Sequence, residues 1–320
     1  MEQTCRKMWS PLLMALCLIL VAEVEMERVT AQVVGYYDLT CPNAEKIVTE
    51  VVTDAFQRNP TIAPALLRLL FHDCFVQGCD ASILLDNPGG EKTAPPNQSL
   101  RGFEVIDDAK QALEAACPGI VSCADIVALA ARDAVVLTGG PTWEVPTGRM
   151  DGRFSDALSA IVNIPSPTMP TPVLTQMFLA NGLSPDEMIT LSGAHTIGGA
   201  HCSSFSNRLS MNDPTLDEAY AEELLAACPT PNSDNVVPLD PTTPLTFDNN
   251  FFTNLAAGRG LLTSDQDLYN NLGSEFLSIM DSNNEDLWRF KFAAAMVRLS
   301  TVNAKIGDDG EVRKNCRAVN

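Results

Sequence analysis

The sequence predicts a mainly α-helical chain with very little β structure. Three observations carry this. Alanine-rich amphipathic stretches recur at the helical period along most of the chain. Runs with strand-like alternation are few and short. Connections rich in Pro, Thr, Asn and Ser punctuate the helical stretches.

In chain order, the first helix is predicted over 43–58, where Pro42 and Asn43 supply the start signal. Further helices are predicted over 63–74, 103–116 and 122–137, each with apolar residues three and four apart. A helix over 171–180 is followed by one over 184–191. There Ser184 is a cap, Pro185 takes the first helical position, and Asp186 and Glu187 place acids in the first turn. The remaining helices are predicted over 217–227, 248–257, 271–281 and 285–298. Loops are expected at 86–101, 163–170 and 229–247. The chain shows neither an internal repeat nor a low-complexity linker.

The 320 residues suit one large domain or two small lobes, and a hydrophobic content of 46% allows a real core. The N-terminus reads as a secretory signal: Arg6 and Lys7 precede an apolar run from Pro11 to Ala22. Val29 and Ala31 are spaced for cleavage after Ala31, so residues 1–31 are expected to be removed and 32–320 to form the mature domain. Glu23 and Glu25 interrupt the run too soon for a membrane span. Cys5 and Cys17 lie in the leader, which leaves Cys41, Cys74, Cys79, Cys117, Cys123, Cys202, Cys228 and Cys316. An even set behind a secretory signal means disulfides, with about 105 possible pairings. CxxC spacing is absent, which argues against a cysteine metal site. The chain carries a net charge of −19; residues 1–31 hold four acids and three bases, a net −1, which leaves −18 for the rest. Such a surface disfavours nucleic acids and polyanions and tolerates neutral or cationic small molecules.

Two of the three histidines sit in informative segments. Arg68-Leu69-Leu70-Phe71-His72-Asp73-Cys74 places an arginine and a histidine at i and i+4, one face of a helix. Leu191-Ser192-Gly193-Ala194-His195-Thr196 gives a histidine with small neighbours, as though something flat had to approach it. A cation with an acid/base imidazole on one side, and a lone imidazole ligand on the other, is what a peroxide-splitting haem requires. The first segment continues as Phe75-Val76-Gln77-Gly78-Cys79-Asp80-Ala81-Ser82. With it, the chain from about Gln32 to its C-terminus resembles the class III secretory plant peroxidases.

The resemblance implies a two-lobed haem-peroxidase fold with one haem b between distal and proximal helices. It implies the pairs Cys41–Cys117, Cys74–Cys79, Cys123–Cys316 and Cys202–Cys228. On the distal side His72 would move the proton and Arg68 would supply positive charge, while Phe71 covers the haem edge. The acceptor that holds His72 would be Asn97, itself held by Glu91 six residues earlier, in Glu91-Lys92-Thr93-Ala94-Pro95-Pro96-Asn97. On the proximal side His195 would ligate iron and Asp265 would hold its other nitrogen. Two calcium ions are implied. Asp73, Val76, Gly78, Asp80 and Ser82, with Glu91, would form the first site. Thr196, Asp240, Thr243, Thr246 and Asp248 would form the second. Each set adjoins a functional histidine.

Hydrogen peroxide and small phenolic or aromatic donors are the implied partners. Donors would meet the haem edge beside Ile164-Pro165-Ser166-Pro167, with Pro165 at the substrate contact. Pro95, Thr168, Met169 and Ser204 occupy the surrounding places, so this edge is expected to be wider and less aromatic than in several relatives. Relative to some of them, Gln98-Ser99-Leu100 is one residue short. Asn97-Gln98-Ser99 is formally a glycosylation sequon, which a buried distal asparagine could hardly use. His201 is expected at the surface or channel edge. The protein is expected to be an extracellular (apoplastic) monomer, without a C-terminal extension indicating the vacuole and without nucleic-acid or membrane partners. Two other readings are a haem- or calcium-binding structural protein that has lost catalysis, and an oxygenating haem enzyme. Arg68, His72 and Asn97 weigh against the first. Full use of the cysteines in disulfides weighs against the cysteinate ligand of the second.

Overall fold

The computed structural model describes residues 32–210, 213–231 and 233–320. The leader, residues 1–31, lies outside the described residues. Among those described are thirteen α-helices: α1 Ala44–Arg58, α2 Ile62–Cys74, α3 Phe103–Ala116, α4 Cys123–Leu137, α5 Ala157–Asn163, α6 Thr171–Ala180, α7 Pro185–Ser192, α8 Ser206–Ser210, α9 Glu218–Ala227, α10 Asn250–Ala256, α11 Thr263–Asn270, α12 Glu275–Asn283 and α13 Glu285–Ser300. Two three-residue strands, β1 Gly199–His201 and β2 Val236–Pro238, pair antiparallel with Ala200 opposite Val237.

α4 is the axis of the first lobe. Ser122 caps it by accepting the Asp125 amide at 3.2 Å, and nearly every side chain from Cys123 to Val135 is buried. A helix apolar all round needs neighbours on every side; α4 packs against α1, α2 and α3. The second lobe is built from α6, α7 and α10–α12. α7 begins with the anticipated capping box: Glu187 N–H donates to Ser184 Oγ at 3.2 Å, and Ser184 N–H donates to Glu187 Oε2 at 2.7 Å. α13 touches both α2 and α7 and so joins the lobes. Its Trp288 stacks on Phe247 at 5.1 Å and packs edge-on against Phe252.

Three helices depart from the sequence expectation. α5, α8 and α11 fall in segments for which the sequence predicts no helix. α5 and α8 are short, at seven and five residues, and α11 (TSDQDLYN) has almost no apolar period. The helix expected over 271–281 starts later, at Glu275, because Asn271–Ser274 turn out of α11. Within the expected loop 86–101, Glu91–Thr93 and Pro95–Asn97 form single 3₁₀ turns, and β2 lies within the expected loop 229–247.

All four expected disulfides form: Cys41–Cys117, Cys74–Cys79, Cys123–Cys316 and Cys202–Cys228. Cys202–Cys228 belongs to a separate small core with Phe205, Tyr220 and Leu261. Cys123–Cys316 spans 193 residues and ties the C-terminal segment to the start of α4. By chain-entropy arithmetic a loop that long contributes about 5 kcal/mol at most. The Cys123→Ser/Cys316→Ser double variant is therefore predicted to lose several kcal/mol in chemical denaturation. A loss under about 1 kcal/mol would show that closure of this loop contributes little.

Candidate active site

α2 presents Arg68 and His72 on one face, as their spacing predicts: Arg68 Nε–H donates to His72 Nε2 at 3.1 Å. His72 Nδ1–H donates to Asn97 Oδ1 at 2.6 Å, and Asn97 is 3% exposed. This fixes the tautomer with the lone pair on Nε2. Asn97 Nδ2–H in turn donates to Glu91 at 2.9 Å, but to its main-chain carbonyl and not its carboxylate. The carboxylate turns the other way, where Ser155 Oγ–H donates to Oε1 at 3.3 Å. Burial first, then the charge of Arg68, presses the His72 imidazole down to about 3, with the Asn97 hydrogen bond opposing. Arg68 is lowered by burial and by Arg101 to about 10 and remains a cation at neutral pH. Its other arms donate to Ser99 Oγ at 3.0 Å and to the Pro96 carbonyl at 2.9 Å.

His195 lies in a 3₁₀ turn, Gly193–Thr196, that continues from α7. Its Nδ1–H donates to Asp265 Oδ1 at 2.8 Å. Asp265, at the start of α11, also accepts the Leu262 amide at 3.3 Å, so its carboxylate is held from two directions. Burial lowers the His195 imidazole, but the charge and hydrogen bond of Asp265 outweigh it and the net shift is upward; the charge of Arg68 opposes. Nε2 of this ring makes no hydrogen bond among the described residues. Packing alone requires Gly193 to be small. A Cβ there would lie 2.8 Å from the Trp288 indole and 2.9 Å from Phe252.

Arg68 and His195 show the same combination. Burial leads the influences on each. Yet Arg68 is exposed and 39% of the His195 side chain is accessible. Dense packing nearby and an accessible surface therefore coexist at both groups. The field of Arg68 also reaches His195. Phe71 lies 4.3 Å from Phe75 and 6.1 Å from Phe178, ring centre to ring centre, and packs at the edge of the core. The segment carrying Pro165 is hydrogen-bonded to the start of α11: Ser264 N–H donates to the Pro167 carbonyl at 3.0 Å. His201 is exposed, with Nδ1 3.2 Å from the Asp234 carbonyl.

Beside each histidine a set of hard oxygens converges. Thr196 Oγ1 reaches Asp240 Oδ2 at 3.3 Å, Asp248 Oδ1 at 3.1 Å and the Thr246 carbonyl at 3.5 Å. Thr243 Oγ1 reaches the same two carboxylates at 3.4 and 3.1 Å. Among the described residues, lysine and arginine form no ion pair with Asp240 or Asp248. Beside His72, Asp73, Asp80, Ser82 and Glu91 are all buried. Burial, then the Asp80 charge, raises Asp73 well above the ordinary carboxylate range, and burial raises Glu91 to about 8. Asp73 Oδ1, Ser82 Oγ and Glu91 Oε2 have no hydrogen-bond partner among the described residues. Asp80 Oδ2 pairs with Lys305 Nζ at 2.9 Å. Gly78 has φ +99, and a Cβ there would strike the Asn303 carbonyl.

Residues 48–283 match the family described as Peroxidase. The chain is 48% identical to "Peroxidase 5" of Vitis vinifera, an alignment covering 96% of this chain and 95% of the relative. It is 48% identical to "Peroxidase 55" of Arabidopsis thaliana, covering 89% and 90%. With "Peroxidase 1" of Zea mays it shares 46%, covering 96% and 87%. The chain belongs to the class III plant peroxidases. It is a haem-dependent enzyme acting on hydrogen peroxide.

The neutral form of His72 survives until the pH falls to about 3, well below the ordinary 6.5. Reactivity towards peroxide that depends on a neutral His72 is therefore predicted to stay flat through pH 5–7 and to fall only near pH 3. The second-order rate with peroxide, measured by pH-jump stopped flow, checks this. An inflection near 6.5 would mean that burial leaves His72 unshifted. The same depression makes this residue a source of acid instability, because below pH 6.5 the unfolded chain takes up a proton that the folded chain refuses.

Proposed function

We propose that Arg68, His72 and Asn97 activate hydrogen peroxide, that His195 and Asp265 hold the haem, and that small phenolic donors are oxidised at the edge beside Pro165. The observation that carries this is that both imidazoles are held through Nδ1, one by an amide and one by a carboxylate, with Nε2 turned to the arginine at His72 and without a protein partner among the described residues at His195. Haem, when bound, supplies the iron on which peroxide is reduced and the two oxidising equivalents that donors remove one at a time.

His72 Nε2 accepts a proton from the bound peroxide and returns it to the departing oxygen, so that oxygen leaves as water. The lone pair for this is engaged by Arg68 Nε–H at 3.1 Å, so peroxide enters by exchanging for that hydrogen bond. Arg68 then faces the negative charge that grows on the leaving oxygen. Asn97 accepts without carrying charge, which keeps His72 neutral and Nε2 basic. Asp265 carries charge, so the His195 ring it holds is electron-rich and a stronger donor to a metal at Nε2. Phe71, beside His72, would cover the haem edge on the distal side.

Thr196, Asp240, Thr243, Thr246 and Asp248 suit one calcium ion. Asp73, Asp80 and Ser82, with the Val76 and Gly78 carbonyls, suit another. Glu91 supports that second loop from outside it. Two carboxylates beside Thr196 without a cationic side chain, and buried carboxylates beside His72, are each what a divalent ion relieves. The four disulfides support secretion as the setting, and cleavage after Ala31 is part of that reading. Among the described residues, helices long and apolar enough to cross a membrane are absent.

His72→Ala is predicted to retain haem and to lose peroxide reactivity by about 10²–10⁴-fold, the worth of a general acid–base step. Stopped-flow absorption of the haem-loaded variant reads this, and a near-native rate would remove His72 from its role. Chelation to zero calcium by elemental analysis is predicted to lower activity and melting temperature together. Full activity with unchanged melting would dismiss both oxygen sets as calcium sites.

A further inference from the structure

α11 and the segment carrying Pro165 are joined at a contact that the proposed reaction does not use. α11 carries Asp265, and two residues on it carries Asp267. Two residues correspond to about 200° around a helix, so these carboxylates point in nearly opposite directions. Asp265 meets His195. Asp267 Oδ2 instead accepts the Thr171 amide at 2.6 Å. Thr171 is the first residue of α6, whose opening N–H groups lack intrahelical partners and favour negative charge. The Pro165–Pro170 segment ends there, and its Pro167 carbonyl accepts the Ser264 amide at 3.0 Å. The edge segment is thus attached to α11 on both sides of Asp265. Among the described residues Asp267 is the side chain of α11 that makes this attachment. Gln266, the neighbouring tether, goes elsewhere, to the Leu255 carbonyl and the Gly260 amide.

We infer that Asp267 is a positioning residue that sets Asp265 against His195 and, through Thr171, holds the donor-edge segment in register with it. Through this contact the electron supply to the proximal ligand and the shape of the donor edge are adjusted together. The inference rests on the proposed roles of His195, Asp265 and Pro165.

The experiment uses haem-loaded enzyme and three variants. Asp267→Ala removes the acceptor and the charge. Asp267→Asn removes the charge and keeps an oxygen acceptor. Thr171→Pro removes the N–H donor at a first helical position, where proline is tolerated, and leaves Asp267 charged. The readouts are the ferric/ferrous potential, the iron–histidine stretching frequency, and KM against kcat for a small phenol. Asp267→Ala and Thr171→Pro are expected to raise the potential, lower the stretching frequency and raise donor KM between about twofold and thirtyfold, the range seen for coupling residues. Asp267→Asn is expected to stay near wild type in all three. Equal shifts in the alanine and asparagine variants with none in Thr171→Pro would mean that Asp267 acts by charge alone, which overturns the proposal. Lowered melting with an unchanged potential and frequency would also overturn it. Asp265→Asn is the control: if it leaves the potential unchanged, the proximal reading itself fails, whereas a shift there with none in the Asp267 and Thr171 variants rejects only the present inference.

Discussion

The site depends on how two imidazoles are each held through Nδ1. Each has Nδ1 fixed at hydrogen-bonding distance, His72 by the oxygen of Asn97 and His195 by that of Asp265. The partners are nearly alike in size and differ by one unit of charge. Burial, then Arg68, presses His72 down against the weak opposition of Asn97, whereas at His195 the charge and hydrogen bond of Asp265 outweigh burial and the net shift is upward. Much of the surrounding structure keeps these two partners from exchanging character. Asn97 lies on a tight turn whose amide arm is held by the Glu91 carbonyl, and Asp265 lies at a helix start that provides it with a backbone amide.

Burial that makes the histidines useful also gathers carboxylates where water is scarce. Asp73, Asp80 and Glu91 beside one histidine and Asp240 beside the other are buried, with half-buried Asp248 close to Asp240. Lys305 answers part of the first cluster, and Arg313 lowers Asp73 from further away. The second cluster is met by hydroxyls and amides alone among the described residues. The two clusters therefore differ in how far the protein itself offsets their charge.

Much of this was legible in the sequence, unevenly. The Arg68/His72 face of α2 follows from helical spacing, and the Ser184 capping box from four adjacent residues. The disulfide pattern and the acceptors at Asn97 and Asp265 follow from family resemblance alone, since contacts outside helical spacing, from 25 residues for His72–Asn97 to 70 for His195–Asp265, leave no periodic trace. α11 was hidden because helices announce themselves by an apolar stripe, and this one offers little beyond Leu268 and Tyr269. Glu91 shows another limit. Its place relative to Asn97 was readable, but which of its oxygens does the holding was not, because the main-chain carbonyl is present in every residue. The packing demand on Gly193 is not readable from the sequence, since Trp288 lies 95 positions away along the chain.

The C-terminal segment has a consequence for how the protein is made. Arg313 donates its guanidinium to the Ala81 and Cys316 carbonyls and its amide to Asp151, and Asp86 donates its amide to the Arg317 carbonyl. The loop that follows His72 is thus framed by residues more than 220 positions later. A ribosome releases the chain from its N-terminus, and early segments generally begin to fold first. Here the first lobe can assemble its helices as they emerge, but the loop beside its histidine stays unframed until nearly the whole chain has been delivered. Framing of this loop therefore waits for residues made more than 220 positions later, and removing residues 311–320 would leave the start of the protein unfinished.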